Sequence, residues 1–158
     1  MKKLKVMKTI NKILMIVFVS VVALITSKLQ AQNTTNKPNA FDNYAAELTA
    51  NQATMEQLFT MQKGTAVNMP IATNLMLVGS VASNVQVYNN LQTVIVRLTN
   101  FPNVVLSISK LSDKYTPEKY VGRLLSSNYA DAFEVEQLGN SYILKKQITA
   151  QIIQPCKQ

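Results

Sequence analysis

The stretch that most constrains the fold is Gln92–Asn100, QTVIVRLTN, because the segments on both sides of it can be registered against it. Successive side chains of an extended chain point to opposite faces, so Val94, Val96 and Leu98 share one face and Thr93, Ile95 and Arg97 the other. Upstream, Asn89-Asn90 reads as the two-residue loop of a type I′ hairpin, since asparagine tolerates the positive φ such a loop needs. That loop sets Val85 opposite Val94, Ser83 opposite Val96 and Val81 opposite Leu98. Downstream, the turn around Phe101-Pro102-Asn103 closes with an odd or an even loop. An odd loop pairs Leu98 with Val104, Val96 with Leu106 and Val94 with Ile108. An even one sets Val96 against Ser107 and turns the core face over, so the odd loop is preferred. The three strands form an antiparallel meander.

A second hairpin is legible near the C-terminus. With Gly139-Asn140 as a two-residue loop of type II′ or I′, Leu138 lies opposite Ser141, Gln137 opposite Tyr142, Val135 opposite Leu144 and Glu134 opposite Lys145. Phe133, Val135, Tyr142 and Leu144 then share the core face, and Glu134 and Lys145 the solvent face. Lys146 falls on the inner face opposite Phe133, which calls for snorkelling at a sheet edge or a bulge after Lys145. The alternation continues through Ile148, Ala150 and Ile152, so the last strand is drawn long, with Pro155 ending it.

Between these hairpins, Thr116-Pro117-Glu118 suits a type I turn or a helix start, and Tyr120–Ser127 fits a strand better than a helix because Gly122 lies inside it. Before the meander, Leu75–Val87 supplies a long strand in which Gly79 marks a bend or bulge. Residues 65–74 read as a loop, with Pro70 stopping any helix. The period changes over 41–63. Phe41, Tyr44, Ala45, Leu48, Met55, Leu58, Phe59 and Met61 approximate three–four spacing, which predicts one kinked helix or two short ones. Asn39 or Asp42 suits a cap at its start, Thr54–Gln57 a capping box in its middle, and Gly64 a C-cap. No internal repeat stands out.

The N-terminus reads as an address. Lys2, Lys3, Lys5, Lys8 and Lys12 precede the apolar run Ile13–Ile25, and a polar stretch follows, ending in small Ala31. That is the plan of a secretory signal peptide, with Met7 a second candidate start. As a helix the apolar run spans roughly 20 Å, short of the roughly 30 Å hydrocarbon core, so cleavage near Ala31 is expected and a retained membrane span is not. The charge balance follows from this. The chain has 16 Lys+Arg and 8 Asp+Glu. Six of the basic residues precede Ala31, leaving ten against eight and a net of +2 for the remainder. The basic excess therefore belongs mostly to the targeting segment, which argues against nucleic-acid binding.

The domain plan is a signal peptide over 1–31, a polar lead-in over 32–40 and one domain over 41–155. That domain has a helix about 41–63 and a sheet about 75–154, and residues 156–158 form a tail. The lone cysteine, Cys156, permits no internal disulfide, and an oxidising compartment would let it join two chains through an intermolecular one.

For chemistry the inventory is sparse. With no histidine, His-based triads, a His general base and His metal ligands are excluded, and one cysteine leaves no ordinary zinc site. No phosphate-cradling glycine motif is present. Ser107 and Ser109 alternate with Leu106 and Ile108 as a half-exposed strand does. Asp131 reads as the end of a turn rather than a cation ligand. Glu134 and Glu136 lie two apart on one strand face, a spacing that superficially matches a glycosidase pair but here faces solvent.

No family resemblance is apparent beyond the pattern of a small exported protein. The expectation is an α+β domain: an N-terminal helical segment, then an antiparallel meander of five or six strands able to curl toward a partial barrel. Functionally it is an exported, secreted or periplasmic, non-catalytic binding module without cofactor or metal. Its partner is a protein or an envelope or extracellular ligand. The alternative is a small hydrolase or lyase built on Glu134, Glu136, Arg123 and Lys145.

Overall fold

A computed structural model describes residues 37–115 and 117–153. The signal peptide, the start of the lead-in, Thr116 of the expected turn, Pro155 and Cys156 lie outside the described residues. Within them, eight antiparallel strands form one sheet that curls into a half-barrel, with little helix. In chain order these are β1 (Glu47–Thr49), α1 (Gln52–Thr60), β2 (Ala66–Ala72), β3 (Leu75–Tyr88), β4 (Leu91–Leu98), β5 (Val105–Leu111), β6 (Lys119–Leu125), β7 (Asp131–Leu138), β8 (Ser141–Ile148) and α2 (Thr149–Ile152). Strands β2 to β8 run as a meander, and β1 adds to β8. The far end of β1 also reaches β2. The Asn51 N–H donates to the Ile71 carbonyl at 2.7 Å and that of Thr73 to Thr49 at 3.1 Å, so the edges of the curled sheet touch.

Registers rest on alternation, and most expected ones are present. The β4–β5 loop is odd: Val96 pairs with Leu106 and Val94 with Ile108, and Leu98 N–H donates to the Val104 carbonyl. All six side chains are buried. The β7–β8 hairpin has every expected pair, and Gly139 takes a φ of 61° with Asn140 on the ordinary side, which makes the turn type II′. Residues 119–125 are strand, as expected. Lys146 lies opposite Phe133 without a bulge.

Several expectations are overturned. Only the second half of 41–63 is helical, and Asn51 caps it by accepting from Thr54 N–H at 3.1 Å; the Thr54–Gln57 box is not the cap. Asn39 and Asp42 bond each other in a turn instead of capping a helix. Phe41 to Leu48 mimics helical spacing, yet it is a turn followed by β1. Gly64 has φ 89°, but α1 ends at Thr60, so this glycine serves the turn into β2. The expected loop 65–74 is largely strand β2. Pro70 is tolerated because β2 lies at the end of the strand order, where a missing N–H removes no ladder bond. The count is thus eight strands, not five or six. At the other end β8 stops at Ile148, and Thr149 turns into α2 with its N–H on the Ala130 carbonyl, so the alternation past 148 is not strand.

The β3–β4 hairpin closes at Tyr88 and Leu91 as expected, but its register slips twice. Asn84 pairs with Val94, and Val81 with Val96, because Val87 and Ala82 are extra residues in β3. Neither Asn89 nor Asn90 has positive φ, so the turn is not type I′, and the bulge beside it absorbs the mismatch in twist. Gly79 is no bulge: it pairs with Val67 and Leu98 in register.

The inward faces fill the half-barrel with Leu75, Leu77, Val94, Val96, Leu106, Ile108, Leu124, Phe133 and Leu144, all buried. Helix α1 stoppers one end with Met55, Leu58 and Phe59, and the side-chain amides of Asn84 and Gln92 donate to the Phe59 carbonyl at 3.0 Å. The segment before β1 stoppers the other end. Phe41 packs against Phe133 and Phe101, with ring centroids 4.9 and 5.2 Å apart. Lys146 resolves its inner-face position there: its ammonium donates to the carbonyls of Phe41 at 2.7 Å and Tyr44 at 2.6 Å.

Asp131 holds the same stopper. Its buried carboxylate accepts from Ala40 N–H at 2.6 Å and Phe41 N–H at 2.9 Å, an anchor the sequence reading missed. An asparagine there offers one acceptor oxygen and turns a donor on the second amide, so Asp131→Asn is expected to cost about 1–3 kcal/mol. Urea unfolding checks this. A cost under about 0.5 kcal/mol would show that water satisfies the two amides instead.

Candidate functional site

The ladder between β6 and β7 is incomplete. Only Gly122–Val135, Arg123–Glu134 and Leu124–Phe133 pair, although both strands continue beyond Gly122 and Val135 toward the α1 end. Which main-chain groups face the gap follows from β8. The carbonyl of Tyr142 accepts from Ala50 N–H and the N–H of Lys146 donates to the Ala46 carbonyl, the two residues that flank β1, so the even positions of β8 face β1 and the odd ones face β7. Ser141 and Ile143 therefore bond Leu138 and Glu136, and Gln137 between them turns its N–H and C=O toward β6.

Continuing the register two residues past Gly122–Val135 would set Tyr120 opposite Gln137. They are held apart by a wedge. Tyr142, on the inner face of β8, reaches across to β6. Its hydroxyl accepts from Tyr120 N–H at 3.2 Å and donates to the Glu118 carbonyl at 3.3 Å. The two tyrosine rings meet edge to face at 5.4 Å, and Phe59 of α1 lies 5.9 Å from Tyr120. The result is a slot of about 590 Å³ lined by Lys119, Tyr120, Val121, Glu134, Glu136 and Gln137.

Polar groups brace the slot from behind. Tyr120 hydroxyl donates to Glu118 Oε2 at 3.2 Å, and Lys110 pairs with Glu118 Oε1 at 3.3 Å. Burial alone would push the Glu118 carboxyl up; the hydrogen bond and charge of Lys110, with the hydroxyls of Ser112 and Tyr120, outweigh it and hold the group below its usual range. For Tyr120, burial is the first cause of a phenol pushed far above its ordinary range, and the negative charges of Glu118 and Glu56 act the same way. A raised folded value means the neutral phenol is favoured by the fold. The corresponding stability is complete below the ordinary value of 10.0 and is lost as pH rises from there toward the folded value. Melting temperature is expected to fall more steeply above pH 10 in the wild type than in Tyr120→Phe. Equal slopes would place the alkaline sensitivity elsewhere.

The four residues of the enzyme alternative do gather on the outer face beside this slot, already paired. Arg123 binds Glu134 at 3.0 Å, and Lys145 binds Glu136 at 3.3 Å. Lys145 is thus opposite Glu134 in register but bridges diagonally to Glu136. The slot itself was not anticipated. Its one sequence sign is Tyr142 at an inward position, since a buried tyrosine hydroxyl needs a polar partner. Among the described residues, no group of three or more Cys, Asp or Glu side chains is placed to hold a metal ion, and no helix is long and apolar enough to cross a membrane. Comparisons with protein-family models, curated proteins and solved structures find no match to this chain.

Proposed function

We propose that the chain is an exported, non-catalytic binding module: an inhibitor, an adaptor or an accessory subunit of an envelope assembly. One observation carries this reading. The interior is occupied by the protein's own side chains and stoppered at both ends, so a partner must be met on the outer surface, where the β6–β7 slot lies. Export rests on the N-terminal plan read above, and a disulfide-linked dimer through Cys156 would be compatible with it.

The hydrolase alternative draws on the gathering of Arg123, Glu134, Glu136 and Lys145. Each carboxylate there is already ion-paired with a cation within 3.3 Å. A solvated, ion-paired strand face accounts for it more simply.

The test is an affinity capture from an extracytoplasmic extract of the source organism, with the chain from Gln32 onward as bait. A stoichiometric co-purifying partner is the expected result. Its absence, together with hydrolysis of any model glycoside or ester that Glu134→Gln or Glu136→Gln abolishes, would move the assignment to the enzyme.

A further inference from the structure

The binding-module reading leaves open what the slot receives, and its walls restrict the answer. On β7 the N–H and C=O of Gln137 face the gap without a ladder partner, and on β6 the Tyr120 carbonyl does the same. Gln137 is exposed, so its main-chain groups are open to a partner, and groups arranged along a strand edge are matched by another extended main chain. We propose that the slot receives an extended segment of a partner protein, which pairs with Gln137 as an added strand and sets an acidic side chain against Lys119.

Three features select this occupant. Lys119 is exposed and, among the described residues, has no carboxylate within ion-pair distance, whereas both glutamates of the slot are already neutralised. Flanking it on the outer face, Val121 is 47% exposed and Leu138 61%, which offers apolar contact to alternate residues of a bound strand. The ring of Tyr120 is buried, so the slot lacks the open aromatic face that a flat small molecule or sugar would stack on. Its volume lies in the range of about 300–1,000 Å³ common to binding clefts.

The part of β2 that precedes its contact with the β1 segment is treated differently. On β2, Pro70 removes a donor and blunts the edge against strand addition. The β7 edge has no such guard at Gln137. It is kept open from within, because the Tyr142 hydroxyl occupies the Tyr120 N–H that would otherwise zip the ladder shut.

The experiment pans a phage-displayed library of random linear peptides against the folded chain from Gln32 onward and uses a synthetic copy of the enriched peptide as probe. Amide exchange by NMR is expected to show Gln137 exposed in the free protein and protected with the peptide bound. Gln137→Pro deletes the slot-facing N–H without touching the β8 ladder and should weaken binding about tenfold. Lys119→Glu should weaken it similarly, with recovery when the acidic residue of the peptide is changed to lysine. Charge exchange keeps the test decisive if the proline variant does not fold.

Three results would overturn the proposal: no peptide enriched above a blank surface, a peptide held equally by wild type and Lys119→Glu, or Gln137 protection that rises with protein concentration alone. The last would assign the slot to a second copy. The proposal rests on the binding-module reading, but the two fail separately. A natural partner captured equally by wild type and Lys119→Glu keeps the module and removes the slot, whereas no captured partner together with Glu134- or Glu136-dependent hydrolysis removes the module.

Discussion

Replacing Phe41 with alanine is expected to lower the unfolding free energy by about 3–5 kcal/mol, the range for truncating a fully buried phenylalanine. The ring is completely shielded and touches Phe101, Phe133 and Tyr44, which surround it on the inner side of the stoppered end. Its backbone is held on both sides, by Asp131 at the N–H and by Lys146 at the carbonyl. The surrounding sheet therefore cannot collapse into the space, and the cavity term adds to the lost transfer term. Denaturant unfolding at constant slope measures this directly. A loss below about 1 kcal/mol would mean that the segment before β1 lies over a core that stands without it. Phe41→Leu, which keeps most of the volume, should recover a large part of the loss.

Gly79→Ala is the second large effect, and it arises from space alone. A Cβ built at Gly79 would lie 2.0 Å from the Arg97 carbonyl oxygen and 2.9 Å from its carbon, both backbone atoms of the neighbouring strand. Because Gly79 is paired on both sides, β3 cannot move away without breaking a ladder with β2 or β4. A cost of about 3 kcal/mol or more is expected, at the upper end for overpacking. Gly64 supplies the internal comparison. It has open space around its Cβ position but a φ of 89°, so Gly64→Ala should cost only about 1 kcal/mol through backbone strain. The order of the two melts is the check. If Gly64→Ala were the more damaging, conformation rather than close approach would govern both sites.

The part of this fold that was legible in the sequence is the part governed by a two-residue period. Val94, Val96 and Leu98 could be registered against Val104, Leu106 and Ile108 because a slip of one would bury Ser107. Gly139-Asn140 fixed the last hairpin because a two-residue loop leaves no freedom in register. The Ala82 and Val87 bulges were illegible because one extra residue changes neither composition nor local alternation, and Asn84 comes inward only because it has the carbonyls of Phe59 and Met61, at the end of α1, to bond. Phe41, Tyr44 and Leu48 satisfied a helical spacing that tertiary contacts override. Pro70 reads as a stop because its position on the sheet edge is a property of topology, which a strand-by-strand reading does not contain. For the slot, Tyr142 was correctly turned inward. That its hydroxyl reaches past β7 to the Tyr120 N–H depends on how far two strands diverge, and no pattern in either strand encodes that distance.

The meeting of β1 with both β8 and β2 has a consequence for the order in which the chain can reach its native state. Helix α1 and the β2–β3 and β3–β4 hairpins need only neighbouring residues, so they can form early. The stopper cannot, because Lys146 holds the carbonyl of Phe41 across 105 positions of sequence. Contacts of such separation form slowly, since the loop between them must be ordered before they contribute. A chain delivered from its N-terminus would therefore wait, with Phe41 uncovered and the edges of β1 and β2 open, until the last hairpin arrives. During that interval it is most exposed to pairing with its own kind.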